Sequence, residues 1–174
     1  MTETHGYEYD VVTRMTKRGL TLATAETSVG GLIGHLITNV PGASKVFIGG
    51  VTGYARRPKV EVMHADAETL RTHGAESEEA VRAMARGVRE VMQTDVVIAE
   101  SGYANPTPTA DRPGGLYFIG ILADGEDRVG RYVFPGDREA TKAAAAQEAL
   151  RLVLAYLDRL DREGVPPAAA KGHA

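Results

Sequence analysis

Three polar residues in a row, Glu26, Thr27 and Ser28, stand just before a Gly30-Gly31 pair. At the carboxyl end of a strand, with the glycines leading into a helix, a hydroxyl here would lie beside unpaired backbone N–H groups and the positive end of a helix dipole. Such a setting suits an anion, or the oxyanion of a carbonyl under attack. The same spacing is equally that of a helix N-cap by Thr27 or Ser28, which would carry no chemistry. A second cluster, Tyr54 to Lys59 (YARRPK), offers a phenol and a lysine beside Arg56 and Arg57, with a solvated basic turn as its alternative. The five histidines, His5, His35, His64, His73 and His173, have no paired metal-ligand spacing, so neither a metal nor another cofactor is expected. Phosphate-binding and dinucleotide glycine motifs, the Gly-x-Ser-x-Gly elbow and Ser-x-x-Lys are all absent. With no cysteine, thiol nucleophiles, thiolate metal sites and disulfides are excluded.

The elements that must hold these clusters follow from periodicity. Tyr7, Val11 and Met15 recur at four-residue steps ahead of Gly19, which predicts a helix over Tyr7 to Arg18. Leu20 to Ala25 is a short β-prone run. Leu32, Ile33, Leu36 and Ile37 after the paired glycines have helical spacing, so the stretch reads strand, tight turn, helix. Val46 to Tyr54 predicts a strand bent at Gly49 and Gly50. Pro58 fits the first turn of a short helix over Arg57 to Met63, and Asp66 would cap another over Ala67 to Arg71. Ser77 caps a helix whose Val81, Met84, Val88 and Val91 share a face. Val96 to Ala99 suits a strand buried on both sides, and Gly102 to Gly115, with three prolines and three glycines, predicts an irregular loop. Leu116 to Ala123 and Val129 to Phe134, joined at Asp124-Gly125, predict a hairpin. Asp137 caps a long last helix with an apolar stripe from Ala146 to Leu160. The alternation implies an α/β fold, a three-layer α/β/α sandwich around a mixed, mostly parallel sheet with one antiparallel pair. One domain is expected over residues 1–160, and a disordered tail over 161–174.

Twenty basic residues against 23 acidic ones, alternating in sign, give a net charge of −3 and argue against a nucleic-acid partner. No apolar run approaches the roughly 20 residues that span a bilayer, and Met1 to Asp10 has no signal-peptide pattern, so no membrane partner and a cytoplasmic location are expected.

Four segments in order resemble the C-terminal domain of the CinA family, the competence/damage-inducible proteins whose stand-alone relatives are nicotinamide mononucleotide amidohydrolases. They are AETSVGG (Ala25 to Gly31) for the family's Ala-Glu-Ser-Cys-Thr-Gly-Gly; PGASKVFIGGVTGYARRPK (Pro41 to Lys59) for its Pro-Gly-x-Ser and Tyr-Ser-Asn-x-x-Lys stretch; HGAESEE (His73 to Glu79); and an unchanged Phe134 to Arg138. The resemblance covers about residues 7 to 160. It implies the same three-layer fold, a homodimer or higher homo-oligomer, and hydrolysis of a nucleotide's carboxamide to acid and ammonia without a cofactor.

Carried over residue by residue, the resemblance makes Thr27 the nucleophile and Tyr54 and Lys59 its assistants. Ser28, Gly30, Gly31, Ser101 and Gly102 join Glu26 around the substrate. Arg138, beside a helix N-terminus, is the expected partner of the substrate phosphate, with a surface i,i+4 pairing or an acidic partner as alternatives. Three departures fall at the site: Ser becomes Thr27, the Ser-Asn after the family's Tyr becomes Ala55-Arg56, and Gly-Ile-Ala-Gly-Pro becomes GYANP, Gly102 to Pro106. The added methyl of threonine restricts its rotamer and crowds the attack path. Alternatives to the amidohydrolase are therefore a catalytically impaired nucleotide-binding or assembly module, and an amidohydrolase with a different substrate.

Overall fold

A computed structural model describes residues 6–105 and 112–168. The chain runs α1 (Tyr7–Arg18), β1 (Leu22–Glu26), α2 (Leu32–Thr38), a 3-10 turn at Ala43–Lys45, β2 (Phe47–Thr52), α3 (Arg56–Glu61), α4 (Ala67–His73), α5 (Glu78–Met92), β3 (Val96–Tyr103), β4 (Leu116–Ala123), β5 (Glu126–Val133) and α6 (Arg138–Arg162). The five strands form one sheet in the order β2-β1-β3-β4-β5. Alternate residues of its central strands feed two cores. Leu22, Val96 and Ile98 pack against α1, α2 and α6 through Met15, Ile33 and Leu150. Ala23, Ala25, Val97 and Ala99 pack against α4 and α5 through Leu70, Val81 and Met84. Strands covered on both faces read as unbroken apolar runs, which is the pattern of the first half of β3, whereas β1 is buried throughout but carries Thr24 and Glu26.

Caps fix the helix starts. Asp66 accepts from Thr69 N, Ser77 from Ala80 N and Asp137 from Ala140 N, each satisfying a donor that the helix itself leaves free. Gly19, in the left-handed region at φ 64°, ends α1.

The structure corrects three details. The sheet is mixed but evenly so, because β1 pairs in parallel with β2 and β3 whereas both β3–β4 and β4–β5 are antiparallel. Among the described residues no helix intervenes between β3 and β4, and a parallel return would require such a crossover. Next, β3 does not stop at Ala99. It continues to Tyr103, with Gly102 opposite Tyr117 and Tyr103 opposite Leu116, so the irregular loop begins later than the glycine and proline count suggests, and residues 106–111 of it lie outside the described residues. Finally, residues 161–168 are ordered rather than a loose tail: α6 extends to Arg162, Val165 O accepts from Arg18 Nη1 at 3.0 Å, and Ala168 N donates to Arg18 O at 2.9 Å. Residues 169–174 lie outside the described residues.

The topology decides where a site can form. β1, β2 and β3 are mutually parallel through β1, so Glu26, Thr52 and Tyr103 end at one edge of the sheet. The antiparallel return through β4 and β5 brings the start of α6 back to that edge.

Candidate functional site

A cleft of about 240 Å3 opens at that edge, with Thr27, Ser28, Tyr54, Lys59, Tyr103 and Arg138 among its walls. Residues separated by more than a hundred positions thus face one space. Gly102 also lines it.

Thr27 lies at the end of β1, almost wholly buried. Its hydroxyl donates to Ser101 Oγ at 3.1 Å, and Ser28 Oγ lies 3.3 Å away. Ser28 is tied to the same strand, donating to Gly102 O at 2.5 Å and accepting from Gly102 N at 2.8 Å. The backbone N–H groups of Thr27 and Val29 both donate to one oxygen of Glu100, at 2.5 and 3.2 Å. The turn that presents the hydroxyl is therefore stitched to β3 through three neighbouring residues.

Neither Thr27 nor Ser28 caps α2. The N-cap position is Gly31, which has no side chain to offer, and the helix is capped from below: Glu26 accepts from Ile33 N at 3.0 Å and from Gly34 N at 2.9 Å. This corrects the expected substrate contact of Glu26, whose buried carboxylate is committed to the helix. It also changes the roles of Gly30 and Gly31. Both have positive φ, 71° and 92°, as the reversal between β1 and α2 requires, but the N–H groups of Ile33 and Gly34 are already occupied and the glycines line an adjoining cleft instead. That second hollow, about 570 Å3, also has His35 and Lys142 on its wall and shares Arg138 with the first.

Lys59 sits in α3 with only 3 % of its surface exposed. Burial pulls its pKa below the ordinary value, against the opposing pull of Glu76, Glu100 and Tyr54. A carboxylate oxygen, Glu76 Oε1, is 3.8 Å from Nζ. A desolvated lysine shifted in this direction is what general-base work needs. Tyr54 is two-thirds exposed, and its hydroxyl accepts from Arg138 Nη2 at 2.9 Å, leaving the phenolic proton available to a ligand. Arg138 thus pairs with a site residue across the cleft, and makes no ion pair among the described residues.

Sequence reasoning missed three residues here. Glu76 precedes α5 and receives a hydrogen bond from Tyr103 OH at 2.8 Å. Tyr103, its own pKa pushed to about 12 by burial and by Glu76, has the Arg112 guanidinium 4.6 Å above its ring. Glu100 is fully buried, and that burial pushes its pKa up to about 7 against the two N–H bonds it accepts. The available signal was a lone carboxylate inside the apolar run of β3, a placement that is rare without a partner.

Among the described residues, no group of three or more candidate ligands lies together to hold a metal ion, and no helix is long and apolar enough to cross a membrane.

The fold and the cleft define an α/β/α domain that gathers a hydroxyl, a buried lysine and a phenol at the carboxyl ends of its parallel strands. Residues 5–157 match the CinA C-terminal domain, and the chain belongs to that family. It is similar to the CinA-like protein of Thermotoga maritima, 40 % identical over 155 residues that make up 88 % of this chain and 38 % of the relative. The chain spans about a third of the length of the curated relatives it matches. Among solved structures, a competence-damaged protein (CinA) superfamily protein from Klebsiella pneumoniae superposes with a TM-score of 0.85 at 30 % identity, covering 91 % of this chain and 99 % of that one. A competence or damage-inducible protein from Enterobacter asburiae gives 0.82 at 28 %, covering 87 % and 96 %.

Proposed function

We propose that the domain is a carboxamide hydrolase that converts nicotinamide mononucleotide to nicotinate mononucleotide and ammonia in the cytoplasm, working as a homo-oligomer. One observation carries this reading: a buried lysine with a lowered pKa shares a cleft with a strand-end hydroxyl and a phenol. In the reaction, uncharged Lys59 takes the proton of Thr27 Oγ1 as that oxygen bonds to the carboxamide carbon and the carbonyl electron pair moves onto oxygen. Lys59 then returns the proton to the amide nitrogen, the C–N bond breaks, and ammonia leaves an ester on Thr27. Water, deprotonated by the same lysine, attacks the ester carbon; the bond from that carbon to Thr27 Oγ1 breaks, the lysine returns the proton to Oγ1, and the nicotinate product leaves as its carboxylate.

The oxyanion needs donors that are still free. Thr27 N and Val29 N are spent on Glu100, and Ile33 N and Gly34 N on Glu26, and the Tyr54 phenol, oriented by Arg138, takes the role. The remaining guanidinium N–H groups of Arg138 face the substrate phosphate. Before attack, the Thr27 hydroxyl must leave Ser101, a rearrangement of the kind that substrate binding completes in many free enzymes.

That same Thr27–Ser101 bond favours the second reading, a nucleotide-binding module with impaired catalysis. Ammonia release from nicotinamide mononucleotide by the purified protein decides between them. Steady release supports the hydrolase; calorimetric binding without release supports the module, and an absence of both retires the nucleotide reading.

A further inference from the structure

Glu76 stands on the cleft wall, and the reaction steps leave it without a task. Its position is fixed from two sides. The backbone is held because the next residue, Ser77, caps α5, accepting from Ala80 N at 3.1 Å and donating to Gly74 O at 3.0 Å. The side chain is held because Tyr103 OH donates to Oε2 at 2.8 Å, and the Tyr103 ring in turn lies 4.6 Å beneath the Arg112 guanidinium. With its pKa pushed up to about 12, Tyr103 keeps that proton at neutral pH, so Oε2 is committed.

Oε1 is not. Among the described residues it receives no hydrogen bond, and Lys59 Nζ, at 3.8 Å, is an ion-pair neighbour beyond hydrogen-bonding distance. With 27 % of the side chain exposed and the residue lining the cleft, this acceptor is open to a ligand there. Its place beside the lysine is informative, because the amide nitrogen that Lys59 protonates must come within about 3 Å of Nζ, and a group there can reach an oxygen 3.8 Å from Nζ as well. We propose that Glu76 is the specificity-determining residue of the cleft: Oε1 accepts from the NH2 of the substrate carboxamide, and its charge repels the carboxylate that hydrolysis leaves in the same place. An ionised carboxylate only accepts, so it matches an amide NH2 and opposes a second carboxylate. One residue thus supplies both the attraction that selects the substrate and the repulsion that rejects the product. This role rests on the cleft's taking the nucleotide proposed above.

Calorimetry with nicotinamide mononucleotide and with nicotinate mononucleotide reads the selectivity directly. It is done in Thr27→Ala, which holds the substrate unhydrolysed, and in Thr27→Ala combined with Glu76→Gln. In the first protein the carboxamide should bind at least about tenfold more tightly than the carboxylate. In the second, Tyr103 OH holds the new amide's oxygen and turns its NH2 to the cleft, a donor where the acceptor stood. Affinity for the carboxamide should then fall about tenfold, and affinity for the carboxylate should rise by a similar factor. Opposite movements are the signature of direct contact. A change in the charge of the cleft alone would move only the carboxylate, and a disturbed fold would weaken both ligands. Either of those results, or an unchanged ratio, overturns the proposal. If neither nucleotide gives binding heat with the wild-type protein, the nucleotide reading itself has failed; binding with an unaltered ratio sinks the role of Glu76 alone.

Discussion

Glu26 and Glu100 lie on adjacent strands, both are buried, and both accept two backbone N–H groups, yet they do different things. Glu26 spends each oxygen on a separate donor at the start of α2, where the helix dipole also favours its charge. Glu100 places both donors on one oxygen and leaves the other bare. Residue type and burial are the same; what separates a structural carboxylate from a tunable one is how many of its lone pairs are satisfied. The contrast extends to the segments they hold: α2 is fastened from beneath, while the Thr27 turn beside it lines the cleft.

The largest expected effect separates the turn from the cap. Thr27→Ala should reduce ammonia release at least about a thousandfold and leave the melting temperature nearly unchanged, because the bonds that hold the turn are made by its backbone. Ser28 should not take over, since its hydroxyl is bonded to both backbone groups of Gly102. Activity surviving the substitution would move the nucleophile elsewhere in the cleft.

Next in size is the same change made at the two carboxylates. Glu26→Gln turns one acceptor into a donor that faces a helix N–H, and should cost about 3 kcal/mol, seen as a fall of roughly 6–12 °C in melting temperature. Glu100→Gln can keep both of its bonds on the amide oxygen, and its stability at pH 8 should equal or exceed that of the wild type. Equal losses at the two sites would erase the distinction drawn between them.

The pH dependence sharpens the same contrast. The Glu100 pKa is raised from 4.5 to about 7 in the folded protein. Between those values the native state holds a proton that the unfolded chain has released, so this residue's contribution is complete below about pH 4.5 and is lost as pH rises through about 7. Denaturant titrations across that window should show wild-type stability falling by up to about 3 kcal/mol relative to Glu100→Gln, which lacks the titrating group. Parallel curves for the two proteins would mean that Glu100 is ionised throughout.

How much of this was legible in the sequence depends on how local each signal is. α1 has the bounds that its four-residue period and Gly19 predict, and Ser77 and Asp137 cap the helices they precede. The cap on α2 was invisible because its donors lie seven and eight residues beyond Glu26, outside any capping pattern. The apolar run predicts a strand over Val96 to Ala99 and stops short of Glu100, which the structure buries fully inside β3. Order in residues 161–168 depends on Arg18, a partner that no local window contains. That Thr27, Tyr54 and Lys59 share a cleft could not be read from spacing at all; family likeness suggested it, and the carboxyl ends of β1 and β2 explain it.

The smallest effect is the most pointed. Thr27 differs from a serine by one methyl group, and its hydroxyl rests on Ser101 in the free protein. β-Branching restricts rotation about χ1, so the barrier to turning that oxygen toward Lys59 belongs partly to the methyl. Thr27→Ser removes it while leaving the backbone bonds to Glu100 untouched. Ammonia release should rise about tenfold, which corresponds to only about 1.4 kcal/mol of barrier, with little change in KM because the binding groups at Tyr54 and Arg138 are unaltered. A rise confined to kcat places the restriction in the nucleophile's rotation. A fall in KM with kcat unchanged would instead mean that the methyl obstructs the substrate, and the turn would then be a gate to the cleft rather than the hindered element within it.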